Sequence, residues 1–139
     1  MTTTVLNCPP FVLNSARVLV YANVDTTVSH TGRIEVYVDG ERLPPVPCLA
    51  ICENLSHEGD FLLCYCTEGW DVLGVGSYDS LDVAKQSAEV AYAGISKKWQ
   101  AYRPLSAREL AYVEQVRVFV QSDSSTRPYP ELPNVPTGV

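Results

Sequence analysis

Cys48, Cys52, Cys64 and Cys66 are the residues of this sequence best equipped for chemistry. A thiolate is both a strong nucleophile and a soft metal ligand, and the imidazole of His57 lies between the two cysteine pairs. Two chemistries follow. A structural zinc site needs four ligands placed tetrahedrally, and the spacings Cys-x3-Cys and Cys-x-Cys depart from the usual knuckle pattern. A nucleophile pair, Cys52 or Cys64 with His57, needs an adjacency in space that spacing alone does not supply. Each pair alternates along an apolar run, so the thiols read as small buried hydrophobes, reduced and metal-free. With Cys8 the count is five, an odd number that favours free thiols in a chain whose N-terminus lacks a secretory pattern. His30 sits in a polar loop without a triad context, and Gly74-Val75-Gly76 lacks the rest of a phosphate fingerprint. No catalytic set emerges; the expectation is a protein that is not an enzyme and carries no cofactor.

The thiols must be carried by strands. Arg17 to Val24 and Arg33 to Asp39 alternate apolar with polar, the pattern of a sheet wetted on one side. Val46 to Cys52 and Phe61 to Cys66 are apolar enough for central strands, and the loop Asn54 to Asp60 between them reads as a hairpin centred near His57. That hairpin would set Cys48 opposite Cys66. Pro44, Pro45 and Pro47 keep the approach to the third strand out of a central ladder. A fifth strand opens at Trp70, with Trp70, Val72 and Gly74 on one face and Leu73 and Val75 on the other.

After Tyr78 the period changes to a helical one. Asp79 or Ser80 can cap a helix, whose narrow stripe Leu81, Ala84, Ala88, Ala91 and Tyr92 suits close packing on a sheet. Gly94 suits the left-handed residue that ends it, with Ile95 and Trp99 folding back over the core. Ser106-Ala107-Arg108-Glu109 matches a capping box for a second helix to about Val120, although the β-branched run Val116 to Val120 also suits a strand. The fold class expected is α+β: an antiparallel meander of about five strands with one or two helices on one face. Residues 1–121 form the single domain, and 122–139, with four prolines, an extended tail. Its Tyr129, Leu132 and Val135 are expected to dock on a sheet edge or on a neighbouring chain, the latter making a homo-oligomer.

Charge is unevenly distributed. Between Asp25 and Asp82 stand eleven acidic residues against Arg33 and Arg42, while Lys85 to Arg127 holds seven basic against four acidic. An acidic sheet excludes a nucleic-acid binder, whose surface must neutralise phosphates. No apolar run approaches a membrane span, and a cytoplasmic location is expected. An acidic surface instead steers a basic protein partner. The carboxylates expected to meet it are Asp39, Glu41, Glu53, Glu58, Asp60, Glu68 and Asp71, all beside turn signals at strand ends.

The run Trp70-Asp71-Val72-Leu73-Gly74, then Tyr78-Asp79-Ser80-Leu81, Ala84-Lys85, Ala88-Glu89, Tyr92, Gly94-Ile95-Ser96 and Trp99, resembles a module of small stand-alone bacterial proteins. Some of these are similar to presumed immunity proteins of polymorphic toxin systems. The resemblance implies a protein-binding inhibitor of a cognate toxin; its motif residues are structural, so no binding residue transfers with it. The alternatives are a small thiol- or histidine-dependent hydrolase built on Cys52 or Cys64 with His57, or a homo-oligomeric structural or regulatory module.

Overall fold

The computed structural model describes residues 8–121; the tail expected over 122–139, with Tyr129, Leu132 and Val135, lies outside the described residues. The elements run β1 (Val12–Leu13), β2 (Ala16–Asn23), β3 (Ser29–His30), β4 (Tyr37–Val38), β5 (Glu41–Arg42), β6 (Cys48–Asn54), β7 (Phe61–Cys66) and β8 (Val72–Tyr78), followed by α1 (Leu81–Ala91), β9 (Tyr92–Ala93), a 3-10 turn (Ile95–Lys97), β10 (Gln100–Ala101) and α2 (Ala107–Gln121). The main sheet is antiparallel in the order β1-β2-β6-β7-β8, with β10 also pairing β2. This is the expected α+β fold with a curled antiparallel sheet of about five strands and two helices.

The central hairpin explains the rest of the core. β6 and β7 pair in the register that sets Cys48 opposite Cys66 and Ala50 opposite Cys64. Side chains alternate along both strands, so each face is apolar and each needs a cover. Leu49, Ile51, Leu63 and Tyr65 face the small side chains Ala84, Ala88 and Ala91 of α1, whose lack of bulk lets the helix approach the sheet. Cys48, Cys52, Cys64 and Cys66 face the other way, with Val18, Tyr21 and Trp70. Burying each large apolar side chain stabilises the fold by about 1.5–3 kcal/mol, enough for two thin layers on a shared hairpin.

The helices start where their caps dictate. The Ser80 side chain accepts from the Val83 amide and starts α1. For α2 the capping box closes in both directions: Glu109 N–H donates to Ser106 Oγ at 3.1 Å and Ser106 N–H to Glu109 Oε1 at 2.9 Å. Val116 to Val120 is helical, because Val113 and Val116 pack with Tyr112 on Leu55 as a third small cluster. α2 therefore sits at the β6–β7 turn and β1, away from α1.

Three local expectations change. The segment Arg33 to Asp39 does not join the sheet; only Tyr37–Val38 is strand, and it pairs with β5 in a separate hairpin. β6 takes the place beside β2, anchored where Val24 N–H donates to Pro47 O at 2.8 Å. The alternation was real, since Ile34 and Val36 pack on the core while Arg33, Glu35 and Tyr37 are exposed, but alternation reports a covered face and not the neighbouring strand. Trp70 lies in the turn before β8, with a left-handed φ of 67°. An irregularity between Tyr65 and Cys66 then shifts the register, so that Trp70 and Val72 join the thiol layer while Gly74 faces the α1 layer. Finally, α1 ends at Ala91, and Gly94, with φ 98°, turns the chain into the 3-10 segment whose Ile95 is fully buried.

Candidate functional site: carboxylates at the strand ends

The β6–β7 turn places three of the seven expected carboxylates. Asn54 N–H donates to Asp60 O at 3.0 Å, and the Asn54 side-chain amide donates to Asp60 Oδ2 at 2.9 Å, closing the loop. Ser77 Oγ of β8 lies 3.4 Å from the same carboxylate oxygen. Asp60 is thus half-buried and fixed, while Glu58 at the tip is exposed. Glu53 is half-buried and lies 3.8 Å from the Arg117 guanidinium of α2, which also holds Glu114 at 2.9 Å.

Glu68 and Asp71 occupy the β7–β8 turn at the opposite end of β7. Thr67 N–H donates to Asp71 O at 2.9 Å, Asp71 N–H donates to Thr67 Oγ1 at 3.0 Å, and that hydroxyl reaches Asp71 Oδ2 at 3.3 Å. This turn requires the left-handed Trp70, a conformation that costs a bulky residue about 1–3 kcal/mol. The indole offsets the cost by burial to 5 % exposure and an edge-on contact with Tyr21 at 6.0 Å. Asp39 and Glu41 flank the β4–β5 turn, where positive φ at Asp39 and Gly40 gives the tight form that hairpins favour.

The seven carboxylates do not make one patch. Asp39, Glu41, Glu58, Glu68 and Asp71 are exposed as expected, but Glu58 lies at one end of β7 and Glu68 and Asp71 at the other, roughly 20 Å apart at about 3.3 Å per residue, while Asp39 and Glu41 stand on the separate β4–β5 hairpin. The β4–β5 hairpin bridges part of that gap on one side of the sheet. Its Val36 and Leu43 lean on β8, 2.9 Å and 3.4 Å from where a Cβ on Gly74 would stand. Two further residues belong to this surface and were not among the seven expected for it. Asp79 is exposed at the end of β8 because Ser80 takes the cap. Tyr37 is 58 % exposed on the hairpin, its hydroxyl donating to Glu35 at 2.9 Å; the Asp39-Gly40 turn beside it was the available signal.

The thiols are placed differently. Cys48, Cys52, Cys64 and Cys66 are each 2 % exposed or less, whereas Cys8 is exposed, and none is in a disulfide. Cys52 and Cys64 share a hydrogen bond across the strands, which raises Cys52, already disfavoured by burial, and lowers Cys64. Burial first, then the neighbouring sulfurs, pushes Cys66 up to about 12. His57 is exposed at the hairpin tip and does not belong to the buried cluster that holds the thiols. Among the described residues no group of three or more His, Cys, Asp or Glu side chains is arranged to hold a metal ion.

Two concavities bear on these residues. One, of about 10 Å³, is lined by His30, Tyr65 and Tyr92 and is large enough for a single water. The other, of about 290 Å³, lies between Asn23, Asp25, Lys97, Lys98, Trp99 and Gln100. There Thr27 first, and then Lys98 at 3.0 Å, hold the Asp25 carboxyl down to about 2. Neither is lined by a cysteine. Among the described residues no helix is long and apolar enough to cross a membrane. Comparison with protein-family models, with curated proteins and with solved structures finds no match.

Proposed function

We propose that this chain is a non-catalytic protein-binding module, an immunity-type inhibitor that occludes a basic bacterial toxin through its acidic surface. The observation that supports the reading is the placement of charge: Glu53, Glu58, Asp60, Glu68 and Asp71 stand by the turns at the two ends of β7, Asp39 and Glu41 at the β4–β5 turn, and five of the seven are exposed. Turns can project charge without disturbing the ladder, and such charge acts on association more than on folding. A toxin that attacks nucleic acid needs a cationic site, which this field would attract and cover. The burial of Cys52 and Cys64 away from exposed His57 weighs against the thiol-hydrolase alternative, since a nucleophile must meet both its base and its substrate.

The test is stopped-flow association with the protein that co-purifies from the native host. Reversing Asp39, Glu41 and Glu68 to lysine should slow association about tenfold at low salt, and the loss should shrink as salt screens it. Thermal stability should stay within about 1 kcal/mol, as exposed charges contribute little to folding. A salt-independent rate, or an acidic partner, overturns the reading. A turnover abolished by His57→Ala would establish the hydrolase instead.

A further inference from the structure

The two edges of the main sheet are finished differently. The outer edge of β2 is taken up twice, by β1 at Arg17 and Ala16 and by β10 at Tyr21 and Val20. β8 ends the strand order on the other side, and among the described residues no strand continues the ladder beyond it. Proteins commonly protect such an edge with lysine, proline or an inward charge. The strand Val-Leu-Gly-Val-Gly-Ser-Tyr over Val72–Tyr78 carries none of these, and its one irregularity lies at its start. Val36 and Leu43 pack over Gly74 and the Tyr78 ring over Gly76 on one face, while Leu73 and Val75, 39 % and 46 % exposed, give an apolar footing on the other.

Charge selects the occupant. Exposed Asp71 and Asp79 bracket the strand. Close behind them stand Glu68 in the same turn as Asp71, and Asp60, which touches Ser77. If a second copy added its own β8 antiparallel about Val75, Asp71 of each chain would face Asp79 of the other. Like charges directly opposite destabilise a strand pair, and each chain carries a formal net charge of −6. The chain's own C-terminal segment has proline at 128, 130, 133 and 136, and each proline lacks the N–H that a ladder requires.

We propose that the β8 edge is a docking strand for an extended segment of a cationic protein, which adds to the sheet with basic side chains meeting Asp71 and Asp79 at its two ends. Main-chain hydrogen bonds supply affinity in this mode, and the flanking charges supply register and selectivity. This rests on the acidic-surface reading and makes it specific: the turns steer, and the strand between them holds.

The probe is a synthetic peptide, capped at both termini, that alternates threonine and valine and carries a lysine at each end; its control ends in glutamates. Backbone amide shifts and hydrogen exchange of the full-length chain are followed residue by residue. The lysine-ended peptide should slow exchange at alternate amides between Val72 and Tyr78 and bind about tenfold more tightly than the control, two opposite-charge pairs having replaced two like-charge pairs. Asp79→Lys should narrow that preference, and Val75→Lys, which restores an edge-protecting charge, should abolish binding while leaving the β6–β7 amides protected. Absence of β8 protection at millimolar peptide, equal binding of the two peptides, or shifts confined to the turn around Glu58 would overturn the proposal. So would concentration-dependent protection of β8 without peptide, which would make the occupant a second copy. Salt-dependent association with the intact partner that leaves β8 exchange unchanged sinks the docking strand alone. Salt-independent association sinks the acidic-surface reading whatever β8 does.

Discussion

At the scale of single residues, burial divides chemically identical groups. Cys8 is exposed while the other four thiols sit behind β6 and β7. Peptide-resolved alkylation of the native protein should therefore modify Cys8 first and the remaining four at least about a hundredfold more slowly, since a layer opening that costs about 3 kcal/mol leaves about one molecule in a hundred reactive. Within the closed layer Cys66 is held up to about 12 and Cys52 is raised as well, so labelling of these two that climbs toward pH 9 as an ordinary thiol's does would mark reaction through opening. Rapid, simultaneous labelling of Cys52 and Cys64 would reveal an accessible nucleophile and revive the hydrolase reading. The alternation of the cysteines along apolar strands made their burial legible in the sequence. The Cys52–Cys64 hydrogen bond was not legible, because it joins diagonal neighbours whose contact depends on register.

At the scale of elements, α2 depends on one carboxylate. Glu109 is 8 % exposed, caps the helix through Ser106 and receives Arg103 at 2.7 Å through both guanidinium nitrogens. Arg103 first, and then the Ser106 amide, hold its carboxyl down to about 2. A depressed carboxylate stabilises the fold fully above its unfolded value of about 4.3, and the contribution drains away as pH falls toward 2. Glu109→Gln should therefore lower stability by about 1–2 kcal/mol at neutral pH, the range of a lost cap with a half-exposed ion pair, and the gap from the native chain should close by pH 2. Denaturant unfolding across that interval measures it; a gap independent of pH would mean that packing and not charge is at stake. Here the sequence was explicit, since Ser106 and Glu109 stand at capping-box spacing. It signalled the turn at Asp39-Gly40 but not the partner of the strand before it, whose alternation matched a sheet strand although it pairs with β5 in a separate hairpin. It misplaced Trp70 as well, because a left-handed tryptophan is tolerated only when tertiary burial offsets its cost.

At the scale of the molecule, two layers share one hairpin. Trp70 belongs to the thiol layer and Trp99 packs on the α1 layer, so each layer contains one indole. Replacing either tryptophan with phenylalanine leaves a fluorophore that reports on the other layer. Both reporters should give the same denaturation midpoint, as β6 and β7 contribute side chains to both layers and neither layer survives their separation. Distinct midpoints would show that the layers come apart independently. The acidic surface was legible here as composition only. Which carboxylates stand together depends on where the strand ends fall in space, and they fall at two ends of one sheet.

The unequal edges have a consequence for assembly. A body with two open strands can be joined on either side, and head-to-tail addition then continues without limit into a fibre. Here β1 and β10, two residues each, take up one side and leave only short edges, so among the described residues β8 is the one long strand of the ladder left open. Among the described residues, then, the main sheet offers a joining strand one long edge rather than two, and copies of this chain cannot stack by adding long strand to long strand on both sides.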